Sequence, residues 1–193
     1  MFGRKDAPHP AAERGTMLHA LLEEFFRGSH YPSSNRTLAP WQPFMEKLRT
    51  FDPTPEQEVA VTAEWEFCDF DSPNAYLRGK IDLAYGDNNG VRHLFDWKSG
   101  REYPDHHEQG KAYVAMDAEE PDAYEVRFVY LDQPGLVKPW TYTPKHRDAE
   151  RENLSALIEK ISEDTTYDPT PSPEGCRYCP LSWRKGGNCR RAP

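Results

Sequence analysis

The sequence has no apolar run approaching the roughly 18 residues that a membrane-spanning helix requires. Its first residues, MFGRKDAPHPAAERG, lack the apolar core of a secretory leader. A cytoplasmic protein with no membrane partner is therefore expected. No G-x-x-x-x-G-K-S/T stretch occurs, so any coupling to ATP hydrolysis has to come from a separate polypeptide. Internal repeats and low-complexity tracts are absent as well. Positive charge is in deficit, with 24 Lys and Arg against 32 Asp and Glu and a net charge of −8. Such a balance argues against a protein that coats nucleic acid non-specifically. It leaves room for an enzyme, because acids that bind a cation count toward that charge, and Arg177, Arg184, Lys185, Arg190 and Arg191 form a local basic cluster.

What is present suits one α/β domain over residues 1–193, with a cysteine-containing segment at 167–193 inside it. Hydrophobic residues make up only 37%, but 24 aromatic side chains supply core area. Leu18, His19, Leu22, Phe25 and Phe26 recur at helical spacing over residues 13–28, with Gly28 as the stop. A short helix is expected near residues 43–51. Strands are expected over Glu58–Phe70, across the hairpin at 79–100, and at YEVRFVYLD and VKPWTYTP. A helix at 105–118 places Gln109, Ala112, Tyr113 and Met116 on one side. Thr143 and Pro144 start a long helix with an apolar stripe of Leu154, Leu157, Ile158 and Ile161. This order predicts a mixed sheet flanked by helices.

The hairpin, GKIDLAYGDNNGVRHLFDWKSG, carries the chemistry. Ile81, Leu83 and Tyr85 alternate with Lys80, Asp82 and Ala84; His93, Phe95 and Trp97 alternate with Leu94, Asp96 and Lys98. Matching the apolar sets on one face sends Asp82, Asp96 and Lys98 to the other. Facing carboxylates repel, and a Mg²⁺ or Mn²⁺ would neutralise both. On this pattern alone, a solvated face with Lys98 paired to Asp96 is an equal alternative.

The wider constellation is more specific. In order, GTMLH (15–19), GKID (79–82), DWKSG (96–100), QGKAY (109–113) and CRYC with a later Cys (176–189) resemble the PD-(D/E)XK nucleases, and within them the RecB-like and CRISPR-associated exonucleases. The resemblance implies a restriction-endonuclease-like core with a cysteine-containing tail. It implies Asp82 and Asp96 as ligands of Mg²⁺ or Mn²⁺, joined by His19 and the main-chain carbonyl of Trp97. It implies Lys98 as the group acting on water and phosphate, and Gln109 and Tyr113 as positioning the lysine and holding DNA phosphate. Phe95 and Trp97 are bulkier than the residues usual beside this motif. Glu64 and Glu66 form a further acidic pair, and Glu64 is a candidate outer acid.

In many RecB-like exonucleases three C-terminal cysteines join a fourth, ahead of the first helix, in an iron–sulfur cluster. Cys176, Cys179 and Cys189 match the three, but only His9 precedes Gly15, and Cys68 falls in an expected strand. Cys-x-x-Cys in a cytosolic chain favours metal over disulfide. Three outcomes stay open: zinc completed by His9 or Cys68, an iron–sulfur cluster with a substitute ligand, or no metal. The function implied is a metal-dependent DNA exonuclease acting on single strands or ends in recombination, repair or DNA degradation, working with a separate helicase or recombination protein. CRISPR spacer processing and an inactive DNA-binding scaffold are the alternatives.

Overall fold

Five strands, β1 (Thr54–Val61), β2 (Leu77–Gly86), β3 (Val91–Lys98), β4 (Ala123–Tyr130) and β5 (Val137–Tyr142), form one sheet in the order β1-β2-β3-β4-β5. The structure is a computed structural model that describes residues 10–103, 106–165, 172–179, 182, 183, 186, 187 and 189. Only β3 and β4 are parallel, so the sheet is mixed. A parallel neighbour needs a crossover, and helix α3 (His106–Met116) lies in the connection between these two strands. Pro139 cannot donate to a ladder and sits on β5, an edge strand.

Helices cover both faces. On one, Leu18, Leu22, Phe25 and Phe26 of α1 (Pro10–Phe26) and Met45 and Leu48 of α2 (Gln42–Arg49) pack with Leu83, Tyr85, Phe95, Trp97 and Val129. On the other, Tyr113, Val114 and Met116 of α3 pack with Ile81, Ala84, Leu94, Val126, Phe128 and Tyr130. This is the helix-flanked mixed sheet that the element order predicts. Helix α1 stops at Gly28, whose φ of +119° lets its N–H reach Phe25 O while the Ser29 N–H reaches Glu24 O, the double bond of a Schellman cap. The hairpin turn is held by Asp87, whose Oδ1 accepts from the backbone N–H groups of Asn89 and Val91 at 2.9 Å each.

Two expectations change. The first strand runs over Thr54–Val61 rather than 58–70. Thr62 ends it by accepting the N–H groups of Glu64 and Glu66 on its hydroxyl, with Trp65 left-handed at φ 64°, and Phe67 rejoins Val61 only as an isolated bridge. The apolar stripe of α4 (Pro144–Glu163) is not a core face: the helix has no buried residue, and Leu157 and Ile161 are 50% and 62% exposed. The chain divides into two compact units, Met1–Ser155 and Ala156–Pro193. The second contains the end of α4, a short helix α5 (Pro173–Tyr178) and three of the four cysteines. Among the described residues no helix is long and apolar enough to cross a membrane.

Candidate active site

The β2–β3 ladder is regular from the turn to Leu83↔Phe95. One step further would set Asp82 across from Asp96, but there the Trp97 N–H donates to Asp82 Oδ2 at 2.6 Å. On the other side of β2, the pairs Pro55↔Leu83 and Gln57↔Ile81 place Glu56 opposite Asp82, and Glu56 is left-handed at φ 49°. The pleat changes face at this level: Ile81 packs with Ala84 on the α3 side, while Leu83 and Tyr85 pack on the α1 side. Strict alternation would have put Ile81, Leu83 and Tyr85 together. With both faces of the sheet covered, an apolar side chain is satisfied on either, so the pattern does not fix the face. Asp82 and Asp96 are 8% and 3% exposed, so this is not a solvated face, although the Lys98–Asp96 pairing of that alternative is present.

Asp96 is held from α3. Its Oδ2 accepts from Gln109 Nε2 and from the Tyr113 hydroxyl, each at 2.8 Å. Gln109 and Tyr113 are one turn apart and bonded to each other at 2.6 Å. The remaining oxygen of Gln109 accepts from Lys98 Nζ at 2.6 Å, so one amide fixes both the carboxylate and the lysine. Lys98 Nζ also lies 2.6 Å from Asp96 Oδ1. That contact is a largely buried ion pair, which lowers the cost of holding the Asp96 charge there. Burial, then the charge of Asp82, raises the Asp96 carboxyl above its ordinary range, against the opposing pull of Lys98. Tyr113 is buried with its hydroxyl committed to Asp96, and burial followed by that charge raises its pKa. Its hydroxyl faces the Asp96 carboxylate.

His19 arrives from α1 and joins the other carboxylate. Its Nδ1 lies 3.2 Å from Asp82 Oδ1 and its Nε2 lies 2.8 Å from the Trp97 carbonyl. Burial opposes the charged imidazole, but the Asp82 bond and charge, the Trp97 carbonyl and the Asp96 charge together raise it to about 9. Among the described residues, His19, Glu56 and Asp82 form a group whose donor atoms lie within 4.8 Å of one another. Burial and the Asp82 charge raise the Glu56 carboxyl in turn. Glu56 was not anticipated from sequence; the acid singled out on this strand was Glu64, which is exposed in the turn after β1. Pairing Val59 and Val61 with Gly79 and Leu77 would have carried Glu56 to Asp82.

The carboxylates of Asp82, Glu56 and Asp96 with the His19 imidazole are the donor chemistry that a hard divalent cation takes. The residues present therefore fit such an ion. Cys176 lies on α5, Cys179 caps its end, and Cys189 bridges Ser182; all three are free thiols, as is half-buried Cys68. Among the described residues these cysteines form no comparable donor group. His9 lies outside the described residues.

The Gene 69 protein of Mycobacterium phage D29 is 25% identical over 150 residues, covering 72% of this chain and 55% of that protein. The chain thus spans about half the length of that curated relative. The solved structure of SSO0001 superposes over 91% of this chain and 70% of its own, at 15% identity and a TM-score of 0.49. Residues 2–184 match the family model of the PD-(D/E)XK nuclease superfamily, which is nearly the whole sequence. The chain belongs to the PD-(D/E)XK nuclease superfamily.

Proposed function

We propose that the protein is a metal-dependent deoxyribonuclease that works from ends or on single strands. The observation that carries the reading is the position of Lys98 Nζ, fixed by Gln109 and Asp96 beside the His19–Glu56–Asp82 donor group. Hydrolysis adds water oxygen to phosphorus and breaks the bond to the leaving sugar oxygen. Asp82, Asp96, Glu56, His19 and the Trp97 carbonyl are the groups assigned to hold Mg²⁺ or Mn²⁺. When bound, the ion supplies neutralisation of charge on the phosphate and acidification of water.

Lys98 orients the attacking water and balances negative charge on the non-bridging oxygens. Gln109 sets the lysine's direction, and Tyr113 keeps the Asp96 carboxylate turned toward it. The preference for ends or single strands is supported by the RecB-like motif order from Gly15 to Cys189. A separate helicase or recombination protein would supply such strands.

Digestion of end-labelled single- and double-stranded DNA tests the reading. Mg²⁺- or Mn²⁺-dependent release of short products, stopped by a chelator, is expected; intact DNA across both metals would overturn it. Glu56→Gln keeps the size of the side chain and removes its charge. A loss of about 10–100-fold in activity at limiting metal, recovered in part at high Mn²⁺, is expected. Unchanged metal dependence would remove Glu56 from the ligand set.

For residues 167–193 the proposed role is a structural clip in which Cys176, Cys179 and Cys189 share an ion within the single nuclease domain. Elemental analysis of purified protein is expected to find a zinc and no visible absorption. A brown, iron-containing preparation would replace zinc by a cluster, and metal-free protein would remove the clip.

A further inference from the structure

Past Lys98 lies a cavity that the hydrolytic groups leave unused. It encloses about 510 Å³ and is lined by Glu102, Tyr103, His106, His107, Tyr130 and Trp140. That volume suits a small-molecule moiety, within the range of about 300–1,000 Å³. The cavity lies next to the strands and helix that carry the site, since its lining includes Tyr130 of β4 and His106 of α3. Lys98 pairs in register with Tyr130, and its Nζ lies 5.6 Å from the ring centre of Phe128. The Phe128 ring stacks on His106 at 5.9 Å, and His106 Nδ1 lies 2.8 Å from the Tyr130 hydroxyl. These rings are packed interior, with Phe128 and Tyr130 0% and 1% exposed, and they set the cavity wall close to the lysine.

The walls are flat and incompletely covered. Trp140 stacks on His107 with ring centres 4.0 Å apart, which fixes the indole plane, yet 40% of the residue is exposed. Tyr103 is 45% exposed and is steadied by Arg101, whose Nε donates to the phenol oxygen at 2.9 Å. The lining carboxylate, Glu102, lies 3.4 Å from Lys138 Nζ and is compensated. A cavity of ring faces with balanced charge favours an aromatic, uncharged group over phosphate.

We propose that this cavity is a base-stacking subsite, taking a nucleobase of single-stranded DNA near the phosphate presented to Lys98. The inference rests on the nuclease reading and narrows its substrate. Stacking on aromatic side chains tolerates any base. Bases inside a duplex stack on one another and are not free to enter, so the subsite selects unpaired strands.

The test reads binding apart from cleavage. Affinity of a fluorescein-labelled single-stranded oligonucleotide is measured by anisotropy, in chelator so that no strand is cut. Trp140→Ala and Tyr103→Ala are each expected to weaken binding about 5- to 150-fold, as expected for losing a base stack. Trp140→Phe should restore most of the loss, and Phe51→Ala, which removes an aromatic of similar exposure in the α2–β1 connection, should change nothing.

An abasic residue moved along the strand is expected to cost wild type affinity at one position. At that position it should add little to Trp140→Ala. Unaltered affinity in both alanine variants, or an equal abasic cost at every position, would overturn the subsite. Wild-type protein that shows the stacking signature yet cuts no DNA with Mg²⁺ or Mn²⁺ would overturn the nuclease reading instead. Cleavage without the signature would overturn the subsite alone.

Discussion

Asp96→Asn should abolish DNA cleavage while leaving the protein folded. The asparagine oxygen can still accept from Gln109 Nε2 and the Tyr113 hydroxyl, so both 2.8 Å bonds survive in kind. What goes is the negative charge. Burial and the neighbouring Asp82 already disfavour ionised Asp96, so its removal relieves repulsion in the metal-free chain. Against that relief, the amide nitrogen takes the place of Oδ1 facing Lys98 Nζ and the ion pair is lost, so thermal stability is expected to stay close to that of wild type. Activity should fall by about 10²–10⁴-fold, because cation-mediated stabilisation of the transition state contributes several kcal/mol at ~1.36 kcal/mol per tenfold in rate. Asp96→Ala should be equally inactive but less stable, since it strands three donors around an empty position. The checks are single-turnover digestion with Mg²⁺ and thermal melting of both variants. Full activity in folded Asp96→Asn would end the assignment of this carboxylate.

The features legible in the sequence were those whose cause is local. Alternating apolar residues on either side of GDNNG are enough to predict β2 and β3, and the i, i+4 spacing of Gln109 and Tyr113 is enough to bring them to one helix face. The spacing of Asp96 and Lys98 is equally local. The illegible features depended on contacts distant in sequence. Glu56 reaches the site only through the β1–β2 register and a left-handed backbone. The change of face at Asp82 is hidden because both sheet faces are apolar. Residues 62–70 continue an alternating pattern, but the Thr62 hydroxyl captures two backbone donors and turns the chain. Polarity is a poor guide at Arg92 and Asp117, which are charged and yet buried, with half-buried Gln57 beside them.

Asp117→Ala should be strongly destabilising although it lies away from the active site. Asp117 follows α3 and is 0% exposed. Its carboxylate faces Arg92, with Nε 3.1 Å from Oδ2 and Nη2 3.3 Å from Oδ1, and Arg92 Nη2 also donates to Gln57 Oε1 at 2.7 Å. The three residues come from α3's end, β3 and β1, so the network ties the helix bearing Gln109 and Tyr113 to the strands bearing Lys98 and Glu56. Truncating the acid leaves a guanidinium in the interior with one neutral acceptor. Breaking a buried pair this way costs about 3–5 kcal/mol, or roughly 6–20 °C of melting temperature in a chain of this size. The double variant Arg92→Met with Asp117→Leu removes both charges and should recover much of that loss, since an apolar replacement of a buried pair is often neutral. Urea unfolding of the single and double variants measures the difference. If Asp117→Ala alone proves as stable as wild type, the pair is not the clamp its burial indicates, and α3 must be held to the sheet by the packing of Tyr113, Val114 and Met116 alone.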